Sequence, residues 1–228
     1  MSIRLQNIYE TEIVMQSVIR KIEENKIIVI VRGIKKEHII PLAEAMYNGG
    51  IRLIECTYDA SGRVSDEQTA SYIKMLAEHF GDKMAVGAGT VLTEKQVELT
   101  CAAGGSFIIS PDVNAAVIKK TKSLGLISMP GALTPSEVTE AHRAGADFVK
   151  LFPLDAFGPS YIKALKAPLS HIKFLAVGGI NADNMNDYLA AGAVGVGVGS
   201  GIVNKAVIEA GDFDTVTALA KKYTANIK

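Results

Sequence analysis

The chain has 228 residues, of which 48% are hydrophobic, and 24 Lys and Arg residues balance 24 Asp and Glu residues. This size and apolar fraction predict one large domain over residues 1–228. The formal net charge of zero argues against nucleic acid or an anionic membrane as the main partner. The apolar run at 27–31 is too short to span a bilayer and no signal-peptide pattern opens the sequence, so we expect a cytoplasmic protein.

The two cysteines and four histidines are scattered through the sequence. Cys56 and Cys101 form neither a disulfide framework nor the paired spacing of a zinc site. No carboxylates are grouped around the histidines in the manner of a metal site. The sequence therefore predicts no metal and no cofactor.

Strand-like and helix-like segments alternate along most of the chain. An opening helix is predicted at 11–25, where apolar residues recur at helical spacing. Short runs rich in β-branched residues predict eight strands, at 27–32, 51–56, 84–87, 106–110, 126–129, 148–151, 173–177 and 194–198. Helices are predicted at 37–47, 66–79, 94–103, 114–123, 135–144, 161–166 and 183–191, with a C-terminal helix at about 213–226.

This alternation predicts an α/β fold in which helices cover a parallel sheet. Eight strand and helix units that close on themselves make a single (β/α)8 TIM barrel, here over about 26–203, with an extra N-terminal helix. A doubly wound open sheet is the alternative. It is weakened because no G-x-G-x-x-G follows the first strand.

The run A-D-F-V-K-L-F-P at 146–153 is apolar and strand-like, with one cation, Lys150, near its end. Burying an unpaired ammonium is costly, so burial here would lower the pKa of the lysine towards neutrality. A neutral amine is the nucleophile that Schiff-base chemistry with a carbonyl substrate requires. We therefore predict that Lys150 is catalytic; the structural alternative is a lysine that reaches water at the margin of the sheet.

Chemistry in such barrels gathers at the carboxyl ends of the strands. Glu55 ends the run I-R-L-I-E, where burial would raise the pKa of its carboxyl group towards a range useful for proton transfer. It is the candidate acid/base, and a salt bridge with Arg52 is the alternative. Arg32 ends the first strand, which lies beside the eighth in a closed barrel, and could contact an anionic substrate group.

Two glycine-containing turns follow the seventh and eighth predicted strands. Gly178 and Gly179 form one turn, and Gly199 and Ser200 lie in the other. Backbone amides at a helix N-terminus bind phosphate, and glycine has no Cβ to hold the phosphate oxygens away. The two turns therefore predict a phosphate site and a phosphorylated small-molecule substrate.

The chain resembles the KDPG/KHG aldolase family over about 26–203. That family consists of class I aldolases that act on 2-keto-3-deoxy-6-phospho sugar acids. The motifs that carry the resemblance occur in the family's order: I-V-I-V-R at 28–32, I-E-C-T at 54–57, G-A-G-T-V-L at 87–92, F-I-I-S-P at 107–111, P-G-A-L-T-P-S-E at 130–137, V-K-L-F-P at 149–153 and V-G-G-I at 177–180.

The resemblance implies a TIM barrel, commonly assembled as a homotrimer, that binds a phosphorylated keto acid and pyruvate. It implies that Lys150 forms the Schiff base and that Glu55 is the general acid/base. The residues that it implies for substrate binding are Arg32, Thr90, Pro111, Gly178, Gly179 and Ser200.

One position departs from the family pattern. Many members have an arginine four residues after the glutamate, where it helps to hold the substrate carboxylate, but this sequence has Asp59. Members that act on the galactonate epimer also lack that arginine, and their F-G-P-x-Y-I-K-A-L-K stretch is matched at 157–166.

The expected reaction is cleavage of 2-keto-3-deoxy-6-phosphogluconate to pyruvate and glyceraldehyde 3-phosphate, with 4-hydroxy-2-oxoglutarate as a further candidate substrate. The galactonate epimer is the alternative substrate. A phosphosugar isomerase or epimerase, or an inactive phosphosugar-binding barrel, is the alternative activity on the same fold.

Overall fold

A parallel sheet rolled into a barrel forms the body of the protein, as the alternating pattern predicts. The computed structural model describes residues 3–227, so positions 1, 2 and 228 of the predicted domain lie outside the described residues. The strands are β1 (Ile27–Val31), β2 (Leu53–Thr57), β3 (Ala85–Gly89), β4 (Phe107–Ile109), β5 (Ile127–Met129), β6 (Gly131–Ala132), β7 (Val149–Leu151), β8 (Phe174–Val177) and β9 (Ala193–Val198). The helices are α1 (Ile3–Asn25), α2 (Lys36–Asn48), α3 (Asp66–Phe80), α4 (Glu94–Ala102), α5 (Ala115–Ser123), α6 (Pro135–Ala144), α7 (Pro159–Lys166), α8 (Met185–Ala190), α9 (Lys205–Glu209) and α10 (Phe213–Thr224).

The nine strands occupy eight places around the barrel because Pro130 interrupts one strand. Neighbouring strands follow the order β5-β4-β3-β2-β1-β9-β8-β7-β6. β5 and β6 stand at opposite ends of that order, yet Pro130 alone separates them in the chain. Proline cannot donate to a ladder, but its carbonyl oxygen accepts a hydrogen bond from the Lys150 amide at 2.9 Å. The barrel closes through this strand, and the open-sheet alternative is wrong.

Alternate side chains of the strands point into the barrel, and α1 covers the amino-terminal end of that interior. Val18 and Ile22 of α1 pack with Leu53, Phe107 and Phe148, which lie near the beginnings of their strands. Because α1 blocks this end, the carboxyl ends of the strands remain available for a site.

The outward faces of the strands pack against the surrounding helices. Val29, Ile54 and Val149 belong to a second buried cluster, together with Leu42 of α2 and Val138 of α6. Full burial of such an aliphatic side chain contributes about 1.5–3 kcal/mol, so this layer holds the helices on the barrel. Within residues 3–227, no helix combines the length and apolar character needed to cross a membrane.

Some predicted boundaries differ from the structure for local reasons. The strand predicted at 51–56 begins at Leu53, because the Ile51 amide donates to the Met46 carbonyl oxygen at the end of α2. The helix predicted at 183–191 begins at Met185, because the Asn181 side chain accepts hydrogen bonds from the next turn of backbone. The short α9 is not predicted.

Candidate active site

Lys150 lies inside the barrel on β7. Its neighbours Val149 and Leu151 belong to the outer apolar layer, so the two-residue period of a strand turns Lys150 inward. The side chain is 8% exposed, and its Nζ lies 4.6 Å from the centre of the Phe152 ring. Among the described residues, its ammonium group has no hydrogen-bond acceptor. The lysine therefore occupies the barrel interior and not the outer margin of the sheet.

Glu55 lies inside the same barrel on β2 and is 3% exposed. Burial raises the pKa of its carboxyl group, and the positive charges of Lys150 and Arg32 oppose that rise. Burial lowers the pKa of the Lys150 ammonium, Glu55 opposes this change, and Arg32 adds to it. Desolvation is the larger effect on both groups, so it favours a neutral amine and a protonated carboxyl group. Such a pair supplies a nucleophile with a proton donor nearby.

Gly89 of β3 makes room for the Glu55 carboxyl group on the neighbouring β2. A Cβ at position 89 would lie 2.1 Å from Glu55 Oε1. Earlier on the same strand, a Cβ on Gly87 would lie 2.3 Å from the Phe107 ring. No role for Gly89 follows from the sequence, because the side chain that covers a glycine depends on pairing with a distant strand.

Arg52 does not pair with Glu55, so the salt-bridge alternative is wrong. The Arg52 Nη1 donates to the carbonyl oxygens of Tyr47 at 2.9 Å and Ile51 at 2.8 Å. Its guanidinium also lies 4.1 Å from the centre of the Tyr47 ring. These contacts keep Arg52 beside the end of α2 and away from the barrel interior.

Arg32 connects the ends of neighbouring strands at the mouth of the barrel. Its Nε donates to Thr57 Oγ1 at 3.3 Å, and its Nη2 donates to Thr90 Oγ1 at 3.0 Å. Thr90 has a φ of +57°, a left-handed conformation that is uncommon for threonine. Arg32 also acts electrostatically on both Lys150 and Glu55. Its guanidinium is therefore placed to contact an anionic group of a molecule bound near Lys150 and Glu55.

Pro111 lies in the loop after β4, across from the strand that Pro130 interrupts. A Cβ on Gly131 would lie 2.4 Å from the Pro111 carbonyl oxygen. Gly131 is in turn the register partner of Lys150 in the pairing of β6 with β7. The predicted lining residue therefore packs on the strand that adjoins the lysine.

The two glycine-containing turns lie side by side because β8 and β9 pair. Gly178 and Gly179 have φ values of +111° and +68°. A Cβ on Gly178 would lie 2.8 Å from the Leu154 amide nitrogen, and one on Gly179 would lie 3.1 Å from the Asp155 Cα. Both the backbone conformation and the close approach of this neighbouring loop require glycine.

The helices after these turns begin further along the chain than expected. α8 begins at Met185 and the short α9 at Lys205. The prediction that the backbone amides of the two glycine turns lie at helix N-termini is therefore wrong. Within residues 3–227, the amides of Gly179 and Ser200 donate to no protein acceptor. The turns therefore present backbone donors without the help of a helix terminus.

A cavity of about 470 Å³ opens beside the mouth of the barrel. Arg32, Thr57 and Thr90 line it on the barrel side, and Asp59 and Arg63 line it on the loop after β2. The predicted catalytic pair does not line this cavity, whereas Arg32 of the predicted substrate site does. No pattern in the sequence singles out Arg63, which stands in a polar loop.

Comparison with known proteins places these features in context. The family model described as KDPG and KHG aldolase matches residues 18–219. The chain is 36% identical over 175 residues to the 2-dehydro-3-deoxy-6-phosphogalactonate aldolase of Escherichia coli strain K12, covering 76% of this chain and 82% of that protein. It is 33% identical over 209 residues to the 2-dehydro-3-deoxy-phosphogluconate aldolase of Treponema pallidum, covering 91% and 96%.

A solved structure of the KDPG aldolase from Legionella pneumophila is also similar. Its TM-score is 0.79 at 30% sequence identity, and the match covers 88% of this chain and 95% of that one. That structure holds pyruvate captured at low pH as a covalent carbinolamine intermediate. The similarity therefore extends to a protein that bonds covalently to a keto acid.

Proposed function

The chain belongs to the KDPG and KHG aldolase family and is a carbon–carbon lyase, and from this premise we propose a substrate and a mechanism. The substrate is 2-keto-3-deoxy-6-phosphogluconate, and the products are pyruvate and glyceraldehyde 3-phosphate. The observation that carries the proposal is Lys150, buried without a hydrogen-bond acceptor and in electrostatic contact with Glu55 inside the barrel.

The neutral Lys150 amine attacks the C2 carbonyl carbon and forms a carbinolamine. The Glu55 carboxyl group, whose pKa burial raises, gives a proton to the departing hydroxyl group. Water leaves, and a positively charged iminium joins C2 to Nζ. This iminium draws electrons from the bond between C3 and C4.

The bond between C3 and C4 breaks as the C4 hydroxyl proton moves to the Glu55 carboxylate, directly or through a water molecule. The electron pair of that bond enters the iminium, which becomes an enamine, and glyceraldehyde 3-phosphate leaves. Glu55 then gives a proton to C3 and takes one from the water that adds to C2, and this addition releases pyruvate from Lys150. Each proton that Glu55 gives up is replaced within the cycle.

The amides of Gly178, Gly179, Gly199 and Ser200 bind the phosphate group in this proposal. Phosphate binding far from the breaking bond orients C2 towards Lys150 and contributes to the rate by positioning. Thr90 and Pro111 line the pyruvate end of the substrate. Arg32 faces the anionic carboxylate.

The Lys150→Met variant tests this function. Pyruvate release from 2-keto-3-deoxy-6-phosphogluconate, followed with lactate dehydrogenase, is expected to fall to background. Lys119→Met is the matched control, because Lys119 is exposed on α5 away from the barrel interior. Retention of pyruvate release in Lys150→Met would remove the lysine from the mechanism.

The galactonate epimer is the second candidate substrate, and Asp59 is the observation that favours it. Because an acid stands here in place of the arginine of many members, this position offers no cation to the substrate. The Asp59 carboxylate instead accepts hydrogen bonds from Ser61 and Val64 of its own loop. The E. coli relative is named for the galactonate substrate. The ratio of kcat/KM for the two epimers decides between them, and 4-hydroxy-2-oxoglutarate in the same assay tests the unphosphorylated substrate.

We also propose a homotrimer, which the family resemblance implies. Sedimentation equilibrium is expected to give three times the chain mass of 24.2 kDa. A species of one chain mass at micromolar concentration would contradict the trimer without affecting the proposed chemistry.

A further inference from the structure

Phe152 follows Lys150 by two residues and lies on the same face of the strand. The Lys150 amide donates to the Pro130 carbonyl oxygen at 2.9 Å, and the Phe152 amide donates to that of Ala132 at 3.2 Å. The ladder therefore extends one residue past Leu151, and the two-residue period of a strand places positions 150 and 152 on one face. Phe152 lies at the carboxyl end of that face, next to the lysine.

The ring of Phe152 contacts the end of the lysine side chain. Lys150 Nζ lies over the ring, 4.6 Å from its centre, within the distance at which a cation interacts with an aromatic face. The residue is 37% exposed, so the ring stands at the open end of the barrel and not in the core. The face of an aromatic ring is the negative part of its quadrupole and attracts positive charge on the nitrogen.

A second lysine that lies over a ring shows what is particular to Lys150. Lys173 Nζ lies 5.5 Å from the centre of the Phe148 ring, and it also lies 2.7 Å from Glu23 Oε1. Lys150 is closer to its ring, and in the described part of the chain no oxygen atom accepts a hydrogen bond from its Nζ. The aromatic face of Phe152 is therefore in direct contact with the charge of Lys150.

The proposed reaction places positive charge on this nitrogen. The neutral amine, the C2 ketone and one proton give an iminium and water, so the adduct is a cation bonded within the site. A carboxylate held against Nζ would bind the ammonium strongly and keep the amine protonated. An aromatic face attracts a cation more weakly and accepts no proton, so it stabilises the charge and still allows the neutral amine to form.

We propose that the face of the Phe152 ring stabilises the positive charge on the Lys150 nitrogen, as the ammonium of the free protein and as the iminium of the keto-acid adduct. Phe152 is then a catalytic residue beside Lys150 and Glu55, because its ring contacts the reacting nitrogen. The inference rests on the proposed function, since it needs an iminium on Lys150.

The pH dependence of adduct formation distinguishes an effect on charge from an effect on packing. Where Lys150 is an ammonium, adduct formation exchanges one cation for another, and the ring contributes equally to both. Where the amine is neutral, the adduct alone is charged, and the ring favours it. Among the described residues, Glu55 and Arg32 are the charged groups that act on Lys150, and both are the same in every protein compared.

Replacement of Phe152 alone by 3,4,5-trifluorophenylalanine weakens the negative face of the ring with little change in its shape. Above the apparent pKa of Lys150, the pyruvate concentration for half-maximal labelling with cyanoborohydride is expected to rise about 3- to 10-fold. Below that pKa, the change is expected to be less than about twofold, because both states are cations. The apparent pKa, measured from the pH dependence of the labelling rate, is expected to fall because the ammonium is also stabilised less.

Phe157 provides the matched control for fluorination. It is 44% exposed in the loop before α7, and its ring centre lies 5.0 Å from that of Tyr161. The same fluorination at Phe157 is expected to leave labelling unchanged at every pH. For Phe152, an equal rise above and below the pKa would overturn the inference, because it indicates altered packing. The absence of a rise at either pH would also overturn it.

Two natural substitutions at Phe152 give an independent test. Phe152→Leu removes the ring and keeps an apolar side chain, so the pyruvate concentration for half-maximal labelling above the pKa is expected to rise about 5- to 30-fold. Phe152→Tyr keeps the aromatic face and is expected to stay within about twofold of the parent. Equal values for the two variants would contradict a role for the aromatic face.

Labelling of the unsubstituted protein separates this inference from the proposed function. If that protein forms no adduct with pyruvate, the proposed function fails and the inference fails with it. If the parent and the trifluorophenylalanine protein both form the adduct on Lys150 with the same pH dependence, the role of Phe152 alone is overturned.

Discussion

Each of the two ionisable side chains inside the barrel is pushed towards the protonation state that it does not favour in water. Burial dominates both shifts, lowering the pKa of Lys150 and raising that of Glu55, while their mutual attraction works against it. Shifts in these directions make the pair more ready for attack on a ketone, because they increase the fractions of neutral amine and protonated carboxyl group. This readiness depends on the absence of a tighter partner for either group.

Replacement of the carboxyl group tests the division of roles between these residues. Glu55→Gln is expected to lower kcat for cleavage by about 100- to 10,000-fold, because proton transfer to and from C4 and C3 is lost. Trapping of pyruvate on Lys150 is expected to persist. The apparent pKa of Lys150 is expected to fall further, since the negative charge of Glu55 raises it.

The pH dependence of the trapping rate measures that change in the pKa of Lys150. Glu140→Gln is the control, as Glu140 is exposed on α6. Wild-type turnover in Glu55→Gln would show that another group moves the protons.

At the scale of elements, the pairing of β2 with β3 decides where the carboxyl group lies. Gly89→Ala is expected to reduce kcat by at least about tenfold, because its Cβ would lie 2.1 Å from Glu55 Oε1 and displace it. Gly87→Ala on the same strand meets the Phe107 ring instead, and is expected to lower stability by about 1–3 kcal/mol.

Paired measurements of kcat and Tm separate the effects of the two substitutions. A Gly89→Ala protein with full activity would contradict the close contact with Glu55. Equal losses of activity in the two variants would indicate a general disturbance of β3.

The packing of α1 against the barrel interior gives a second prediction at this scale. Ile22 is fully buried, and Ile22→Ala is expected to cost about 2–5 kcal/mol and to lower Tm by roughly 10 °C. Ile13 on the same helix is 53% exposed, so Ile13→Ala is expected to change Tm little. Equal Tm values for the two variants would show that α1 does not contribute to the core.

The pattern of elements follows from the sequence, but their exact ends do not. A single cation in an apolar strand singles out Lys150 as a catalytic candidate, but only the structure, with Val149 and Leu151 in the outer layer, shows that its side chain points inward. Ile51 is as apolar as the strand residues Leu53 and Ile54, yet its amide donates a hydrogen bond to the Met46 carbonyl oxygen at the end of α2 and not to a neighbouring strand. The start of α8 likewise depends on hydrogen bonds made by Asn181, which local propensity does not resolve.

Individual residues whose side chains carry the chemistry can be predicted from the sequence. Contacts between residues that are distant in the chain cannot. Lys150, Glu55 and Arg32 stand out because each is charged at the end of an apolar run. The close approach of Gly89 to Glu55 depends on strand pairing, and the hydrogen bond from Arg63 to Ser61 depends on the Asp59 turn. Neither contact can be deduced from local sequence. Sequence spacing also predicted that helices begin directly after the glycine turns, whereas α8 and α9 begin several residues later.

For the whole molecule, burial of Lys150 lowers the free energy of unfolding at neutral pH, and the same burial makes its amine more reactive. Because its folded pKa is below the unfolded value, the unfolded chain binds the proton more tightly at neutral pH. Lys150→Met is therefore expected to raise Tm by a few degrees at pH 7. The difference is expected to shrink as pH rises through the ordinary lysine pKa of 10.5, above which the lysine is neutral in both states.

Glu55 has the opposite sign, since its raised pKa stabilises the fold at low pH and loses that effect as pH rises through the folded pKa. Differential scanning calorimetry between pH 5 and pH 10 measures both trends, with Lys119→Met as the control for a lost surface charge. A Lys150→Met protein less stable than the parent at pH 7 would contradict the dominance of burial over the attraction to Glu55.

Reaction of the protein with pyruvate and borohydride, followed by peptide mass spectrometry, tests the central claim most directly. We expect one reduced pyruvate adduct per chain, located on Lys150 and absent from the Lys150→Met variant. An adduct located on any other lysine, or no adduct in an enzyme that still releases pyruvate, would contradict the assignment of Lys150 as the Schiff-base residue.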